Sequence, residues 1–335
     1  MKGDGEGESE GARENGYGKP NNDIKVTRRA FVKTTAAFGA AVAGSPYNLT
    51  DITDVFLKED GELIIYPVIS EIEYKLVREL AFERIICIKP WGCNWNCRWC
   101  PMKIAPYEDM RPVMISIDRI IGLLPYLGAD IPSTMIAISG GEPLLQKEEV
   151  LKLISSLKVN NYTVMLFTNG CLIEEGFIDK ANEVGLDQIN ISFYALDDKL
   201  HRWYTGYSNE DTINALKLVT ERFEGLITVS IVLFDYIDMA SLGNICEFLH
   251  KINPNFIIRI ACPIHDAYEH EKCNKEKRHE AEEIASRYFS RMVKNEYFSE
   301  KIIMGRYQIE KDESGYMKLV KSWEYERTKE AMKYE

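Results

Sequence analysis

Along the middle of the chain, apolar positions fall into two alternating patterns. Short runs rich in β-branched and aromatic residues occur at 84–88, 134–138, 162–167, 188–194, 226–234 and 256–261, the length and composition of strands buried on both faces. Between these runs apolar residues return every three or four positions, as on a helix packed by one side. Ser116 is placed to cap a helix carrying Ile117, Ile120, Ile121 and Leu124, which Pro125 closes. Gly185 follows a helix with Phe177, Ile178 and Ala181 on one face, and Ile245, Phe248, Leu249 and Ile252 repeat the spacing. Six strand–helix units of roughly 30 residues predict an α/β fold, a parallel sheet with helices outside. Periodicity leaves two arrangements open, an open doubly wound sheet and a partial barrel. In both, function gathers at the carboxyl ends of the strands.

The regular pattern spans residues 83–265, and the flanks differ from it. Residues 1–26 are an acidic, Gly-rich leader with few apolar residues, expected to be disordered. In 27–45, Thr27-Arg28-Arg29-Ala30-Phe31-Val32-Lys33 precedes a weakly apolar Ala/Gly/Thr run. This resembles a twin-arginine export signal, which would carry the protein across a membrane already folded and be its sole membrane contact. The alternative is a basic, Ala-rich helix on a cytoplasmic protein. Residues 46–82 form an N-terminal extension, with Leu63-Ile64-Ile65-Tyr66 a short strand and Ile72 to Leu80 a helix. Residues 266–335 form a C-terminal appendage, read as a lid or packing element. It holds an amphipathic helix over 275–293, with Ile284, Tyr288 and Met292 on one face, and a hairpin of 302–309 and 316–320 across Asp312-Glu313-Ser314-Gly315.

Composition narrows the classes. A chain of 335 residues, 45% hydrophobic and 28% charged, builds one large core, or one core plus a small appendage. Its net charge of -11 argues against general nucleic-acid binding, while leaving room for a local basic cleft. Eight cysteines are too sparse for a disulfide scaffold and suit a reducing or anaerobic setting. No apolar run has the length of a transmembrane helix.

The chemistry concentrates after the first strand of the regular region. Cys93, Cys97 and Cys100 stand with three and then two residues between them in Cys93-Asn94-Trp95-Asn96-Cys97-Arg98-Trp99-Cys100. Three clustered thiolates at a strand end form a metal site, and structural zinc normally takes four ligands. Zinc and a chance group of buried cysteines are the alternatives to an iron–sulfur cluster with one iron open. Ser139-Gly140-Gly141-Glu142-Pro143 follows the second strand, where paired glycines permit close backbone approach and a carboxylate accepts hydrogen bonds. In isolation that segment is usually a turn. Thr168-Asn169-Gly170 follows the third strand and also reads as a turn by itself. Ser192 lies on the fourth strand. Arg259 lies on the sixth, with Cys262-Pro263-Ile264-His265 beyond it. Arg259 and His265 are the catalytic candidates, a strand Arg being rare unless paired. Cys87, Cys171, Cys246, Cys262 and Cys273 lack ligand spacing and read mostly as small buried hydrophobes.

Taken together, C-x-x-x-C-x-x-C with an aromatic before the last Cys, followed one unit later by Gly-Gly-Glu-Pro, resembles the radical S-adenosylmethionine (SAM) superfamily. The resemblance implies a partial (β/α)6, TIM-like barrel, and a [4Fe–4S] cluster on Cys93, Cys97 and Cys100 with SAM at the open iron. It implies reductive SAM cleavage to a 5′-deoxyadenosyl radical. It further implies SAM contacts from Trp99, Ser139, Gly140, Gly141, Glu142 and Pro143, from Thr168 and Asn169 at the rim, and from Ser192 toward the ribose. The reductant would be a carrier such as flavodoxin or ferredoxin.

The stretch from Ser192 through Asp197, His201, Thr205-Gly206 and Ser208-Asn209-Glu210 resembles the pyruvate formate-lyase activating enzymes. The implied partner is a glycyl radical enzyme. Ser192 and Tyr194 replace the Asp and Lys of that pattern, which leaves modification of a small molecule or peptide as an alternative. A third reading is a non-enzymatic metal or electron-transfer protein. His201 is expected on a helix surface.

Overall fold

The computed structural model describes residues 61–66, 68–75, 84–98, 100–103, 110–129, 134–234, 237–261, 275–293, 301–311 and 317–328. The leader and twin-arginine stretch, Trp99, Cys262, His265 and Cys273 lie outside the described residues. The strands in chain order are β1 (Glu62–Ile65), β2 (Val68–Lys75), β3 (Arg84–Ile88), β4 (Val113–Ser116), β5 (Thr134–Ile138), β6 (Thr163–Thr168), β7 (Gln188–Phe193), β8 (Leu226–Val232), β9 (Ile257–Ala261), β10 (Lys301–Lys311) and β11 (Met317–Thr328). The α-helices are α1 (Ile117–Leu123), α2 (Lys147–Val159), α3 (Glu175–Glu183), α4 (Asp198–Thr205), α5 (Glu210–Arg222), α6 (Met239–Ile252) and α7 (Lys275–Ser286).

Strands β3, β5, β6, β7, β8 and β9 pair in parallel and in chain order. A doubly wound sheet reverses its strand order at a switch point. This order never reverses, so right-handed crossovers put every helix on one side and the sheet curls into a half-barrel. The burial pattern agrees. Ile86, Ile136, Val164, Ile189, Val229 and Ile258 are 0% exposed and pack with helix residues such as Leu153, Phe177, Leu216 and Leu249 in one core. The alternate positions form the inner face, and the strand register aligns them. That face is divided: Cys87, Ala137, Met165 and Phe167 lie on the first strands, and Gln188, Asn190, Ser192, Thr228, Ser230 and Arg259 on the last three.

Local chemistry sets the element ends. Ser116 caps α1 by accepting from the Arg119 N–H at 3.2 Å, and Gly128 takes the left-handed conformation after Pro125. Gln146, 2% exposed, uses its side-chain amide as a strand would: Oε1 accepts from Ile64 N at 2.8 Å and Nε2 donates to Ile64 O at 2.7 Å. This clamps the small β1–β4 sheet against the half-barrel.

Two flanking expectations need correction. Residues expected to begin a helix at Ile72 belong to strand β2, because Val68-Ile69-Ser70-Glu71-Ile72-Glu73-Tyr74-Lys75 finds antiparallel partners on both sides, β3 and β10. The helix expected over 275–293 stops at Ser286. Beyond it the backbone extends along β9, where Ile258 N donates to Arg291 O at 3.0 Å and Val293 N to Ile258 O at 2.8 Å. The C-terminal hairpin is present as β10–β11, and it lengthens the sheet through β2.

Candidate functional site

The cysteine loop leaves the carboxyl end of β3 and is moored to the end of α4. The last carbonyls of a helix lack intrahelical partners, and here the loop supplies them. Asn96 N donates to Thr205 O at 3.0 Å, Arg98 N to Tyr204 O at 2.8 Å, and Arg98 Nε to Trp203 O at 2.7 Å. Lys103 Nζ holds the loop from its other side through Cys97 O at 2.9 Å and also bonds Asn96 Oδ1. Trp95, 3% exposed, anchors the middle, edge-on to His201 with ring centres 5.2 Å apart and tilted against Tyr194.

His201 is therefore not the surface residue the sequence suggests. It is 0% exposed, and its Nδ1 lies 2.8 Å from Tyr207 O and 3.2 Å from Thr205 Oγ1. Burial depresses its pKa. The loop docks on this face of α4, which turns a polar helix side inward.

Cys93, Cys97 and Cys100 are all half-buried. Burial is the main cause raising each thiol, reinforced for Cys93 and Cys97 by neighbouring sulfurs. Cys97 is pushed up to about 12. The Tyr194 hydroxyl beside Cys97 pulls its pKa the other way. Thiols so placed ionise when a cation takes the sulfur, which couples metal binding to proton release. Among the described residues, no three His, Cys, Asp or Glu side chains close on a single ion. Three thiols close enough to perturb one another are a soft sulfur donor set that fits an iron–sulfur cluster.

The Gly-Gly-Glu-Pro segment continues the β3–β5 ladder beyond the strands. Ser139 N donates to Ile88 O at 2.9 Å, Gly141 N to Pro90 O at 3.1 Å and Glu142 N to Gly92 O at 2.7 Å. A Cβ on Gly141 would lie 1.8 Å from Gly92 O, and Gly140 has φ +148°. Both positions require glycine. Pro143 is buried behind them.

The Glu142 carboxylate is 1% exposed. Its Oε1 accepts from Leu144 N at 3.0 Å and Thr168 Oγ1 at 2.8 Å, and Oε2 from Asn169 N at 2.8 Å. Burial raises its pKa to about 7 against the pull of those three donors.

Thr168 and Asn169 are thus brought to the Gly-Gly-Glu segment. Asn169 Nδ2 also donates to Asn94 Oδ1 at 2.9 Å, and Asn94 Nδ2 to the Cys171 sulfur at 2.6 Å. Cys171, expected to be an inert apolar filler, is half-buried within this network. Asn94 and Cys171 are the site residues that motif reading passed over. The only signal for them was adjacency to a motif residue.

Ser192 is half-buried at the end of β7 beside Ser230. Arg259 reaches Ser230 Oγ at 3.5 Å, and Ser230 donates to Asn190 Oδ1 at 2.9 Å. These last residues line the inner wall on β7, β8 and β9, two to four strands from β5.

The sequence pattern of the Radical SAM superfamily matches residues 91–249. A protein of Methanocaldococcus jannaschii carrying the name glycyl-radical enzyme activating enzyme is 24% identical over 248 residues, 71% of this chain and 92% of that protein. A protein of Sulfolobus acidocaldarius carrying the name GTP 3′,8-cyclase is 30% identical over 191 residues, 52% of this chain and 56% of that protein. The chain spans about half the length of such cyclase relatives. Among solved structures, a domain of pyruvate-formate lyase-activating enzyme from Bacteroides vulgatus is 19% identical with a TM-score of 0.41, covering 47% of this chain and 96% of that domain. Methylornithine synthase is 14% identical with a TM-score of 0.48, covering 59% and 60%.

Proposed function

Because residues 91–249 are a radical SAM domain, we propose that this protein is a radical SAM activating enzyme that abstracts a hydrogen atom from a glycyl radical enzyme. The observation carrying this reading is the use made of the activase-like segment. His201, Thr205-Gly206 and Ser208-Asn209 form the helix and turn on which the cysteine loop is moored, and Asn209 Nδ2 ties the turn back to Leu196 O at 2.7 Å. The Methanocaldococcus relative, matched over 92% of its length, supports the same branch.

Bound here, a [4Fe–4S] cluster and SAM supply reductive sulfonium cleavage and a 5′-deoxyadenosyl radical. The chain's own part is to hold and to shield. Cys93, Cys97 and Cys100 would hold the cluster, with the Tyr194 hydroxyl beside the Cys97 sulfur. The Ser139–Pro143 backbone, Thr168 and Asn169 form the cradle for the methionine end of SAM. A carboxylate has about four lone-pair sites. Glu142 commits three to the protein, so it shapes the cradle and keeps one for an ammonium. Trp99 and Ser192 are assigned to the adenine and ribose by resemblance, and Arg259 and His265 are the catalytic candidates. The curled wall of strands would shield one side of the radical from water. Flavodoxin or ferredoxin would deliver electrons. The twin-arginine-like stretch supports export; in fractionated cells, retention of the unaltered protein alongside an Arg28→Lys/Arg29→Lys variant would remove that part of the reading.

Anaerobic reconstitution followed by reductant and SAM should yield 5′-deoxyadenosine, and a glycyl radical detectable by EPR when a glycyl radical enzyme is added. Cys97→Ala should abolish both. A second reading, modification of a small molecule or peptide, is favoured by Ser192 and Tyr194 standing where activases carry Asp and Lys. It predicts 5′-deoxyadenosine stimulated by that substrate and no glycyl radical. An electron-transfer protein would bind iron and release no 5′-deoxyadenosine.

A further inference from the structure

The outer side of the cysteine loop carries charge opposite to that of the molecule. Arg98, next in chain to Cys97, is exposed, and its guanidinium carbon lies 4.5 Å above the ring of Trp203. Trp203 is 37% exposed, one of few large aromatics on the described surface. Lys199 and Arg202 are exposed on the same turn of α4, three and four residues from Arg202 and Trp203 and so on one helix face. Lys103 closes the group, reaching the Cys97 carbonyl at 2.9 Å. Among the described residues of the loop and α4, two acids, Asp197 and Asp198, stand against these four cations. Asp197 caps α4 through Leu200 N at 2.7 Å, and Asp198 pairs with Arg202 at 2.7 Å in an exposed contact. Exposed pairs hold little energy, so Arg202 remains available to a partner. The whole chain carries -11.

We propose that Arg98, Lys103, Lys199, Arg202 and Trp203 form the docking surface for a small acidic one-electron carrier protein of the flavodoxin class. The inference rests on the cluster-binding reading of Cys93, Cys97 and Cys100. Encounters of electron-transfer proteins use small interfaces, and their rate and orientation come from complementary charge. A cationic patch around one exposed aromatic on a molecule of net charge -11 meets that need, because the net charge repels an acidic carrier and the patch attracts it. It is also the face nearest the cluster, since Arg98 is bonded to a ligand residue and Lys103 grips the same residue's carbonyl. In the docked pair the reduced flavin gives up one electron and the cluster gains it, with no bond made or broken.

The test uses the cluster-loaded protein and an acidic flavodoxin. Lys199→Glu/Arg202→Gln alters the patch without touching a loop contact, and Lys180→Glu/Lys251→Gln makes the same change in charge on α3 and α6. Calorimetric titration at low salt should show the Kd of the patch variant raised about tenfold or more, against less than about twofold for the control. The difference should close at about 0.5 M salt, where screening is short-ranged. Dithionite-driven 5′-deoxyadenosine release should be equal in all three proteins. Unchanged flavodoxin affinity in the patch variant, or an equal loss in the control, overturns the proposal. Failure of the unaltered protein to take up iron or to cleave SAM with dithionite overturns the cluster reading and this proposal with it.

Discussion

Gly141→Ala puts the fit between the glycine segment and the cysteine loop under direct strain. The added Cβ would stand 1.8 Å from Gly92 O, 2.7 Å from Gly92 C and 3.0 Å from Pro90 O, all backbone atoms that no rotamer change can move. Ordinary contact needs roughly 3.5 Å, so the two segments must part by roughly 1.5 Å. That separation breaks the Gly141 N–Pro90 O and Glu142 N–Gly92 O hydrogen bonds, at about 1 kcal/mol each. Overpacking adds about 1–3 kcal/mol. The expected loss is roughly 3–5 kcal/mol, a large share of the ~5–15 kcal/mol that holds a domain together. Because Gly92 adjoins Cys93, the shift also carries a cluster ligand away from its partners. Urea unfolding of the metal-free protein reads the first effect, and iron retained after reconstitution and gel filtration reads the second. Gly176→Ala and Gly243→Ala serve as controls. Both sit in helices with nothing within 4 Å of the new Cβ, and each should be neutral or stabilising by up to about 1 kcal/mol. A Gly141→Ala protein within about 0.5 kcal/mol of the unaltered one, with full iron retention, would refute the argument.

Other positions make separate demands. Glu142 has its pKa raised from 4.5 to about 7 by burial, so the folded state holds its proton more tightly than the unfolded chain. Its contribution is full below pH 4.5 and is lost as pH rises to about 7. At ~1.4 kcal/mol per unit, the stability difference between unaltered protein and Glu142→Gln should change by roughly 3 kcal/mol across that window; a pH-independent difference would contradict the assignment. Gln146→Leu takes the Oε1 acceptor away from the Ile64 N–H, while Ile64 O keeps Trp91 N at 2.9 Å, and should cost about 1–2 kcal/mol by denaturant unfolding. Ser116→Ala and Asp197→Ala each remove an N-cap and should cost about 1 kcal/mol. Only Asp197→Ala, whose helix moors the cysteine loop, should also lower iron retention.

Local patterning made the parallel strands readable, since 84–88 and 134–138 coincide with β3 and β5 and the other four differ by one or two residues at their ends. Ser116 carried its cap in its own side chain. Failures arose where a distant segment overruled the local signal. Nothing near Ile72 announces that β10, over two hundred residues later, will pair with it. His201 and Thr205 look like the wet side of a helix until the cysteine loop covers them. The cysteine triad and Gly-Gly-Glu-Pro were legible because ligands and tight turns restrict residue type. Asn94 and Cys171 were not, because an amide–thiol contact leaves no fixed spacing in a sequence.

The hairpin that lengthens the sheet through β2 also sets a timetable. Lys75 has Lys301 as its partner, so the outer edge of β2 stays unpaired until more than two hundred further residues have been made. At ~5–20 residues per second on the ribosome, that wait is roughly 10–45 s. Throughout it β2 offers a row of open backbone donors and acceptors to any neighbouring chain. A nascent chain halted before Lys301 could finish its cysteine loop and yet remain sticky at the β2 edge, one strand away from β3, which carries that loop. Yield in the cell then depends on how fast synthesis reaches the last hairpin as well as on iron supply.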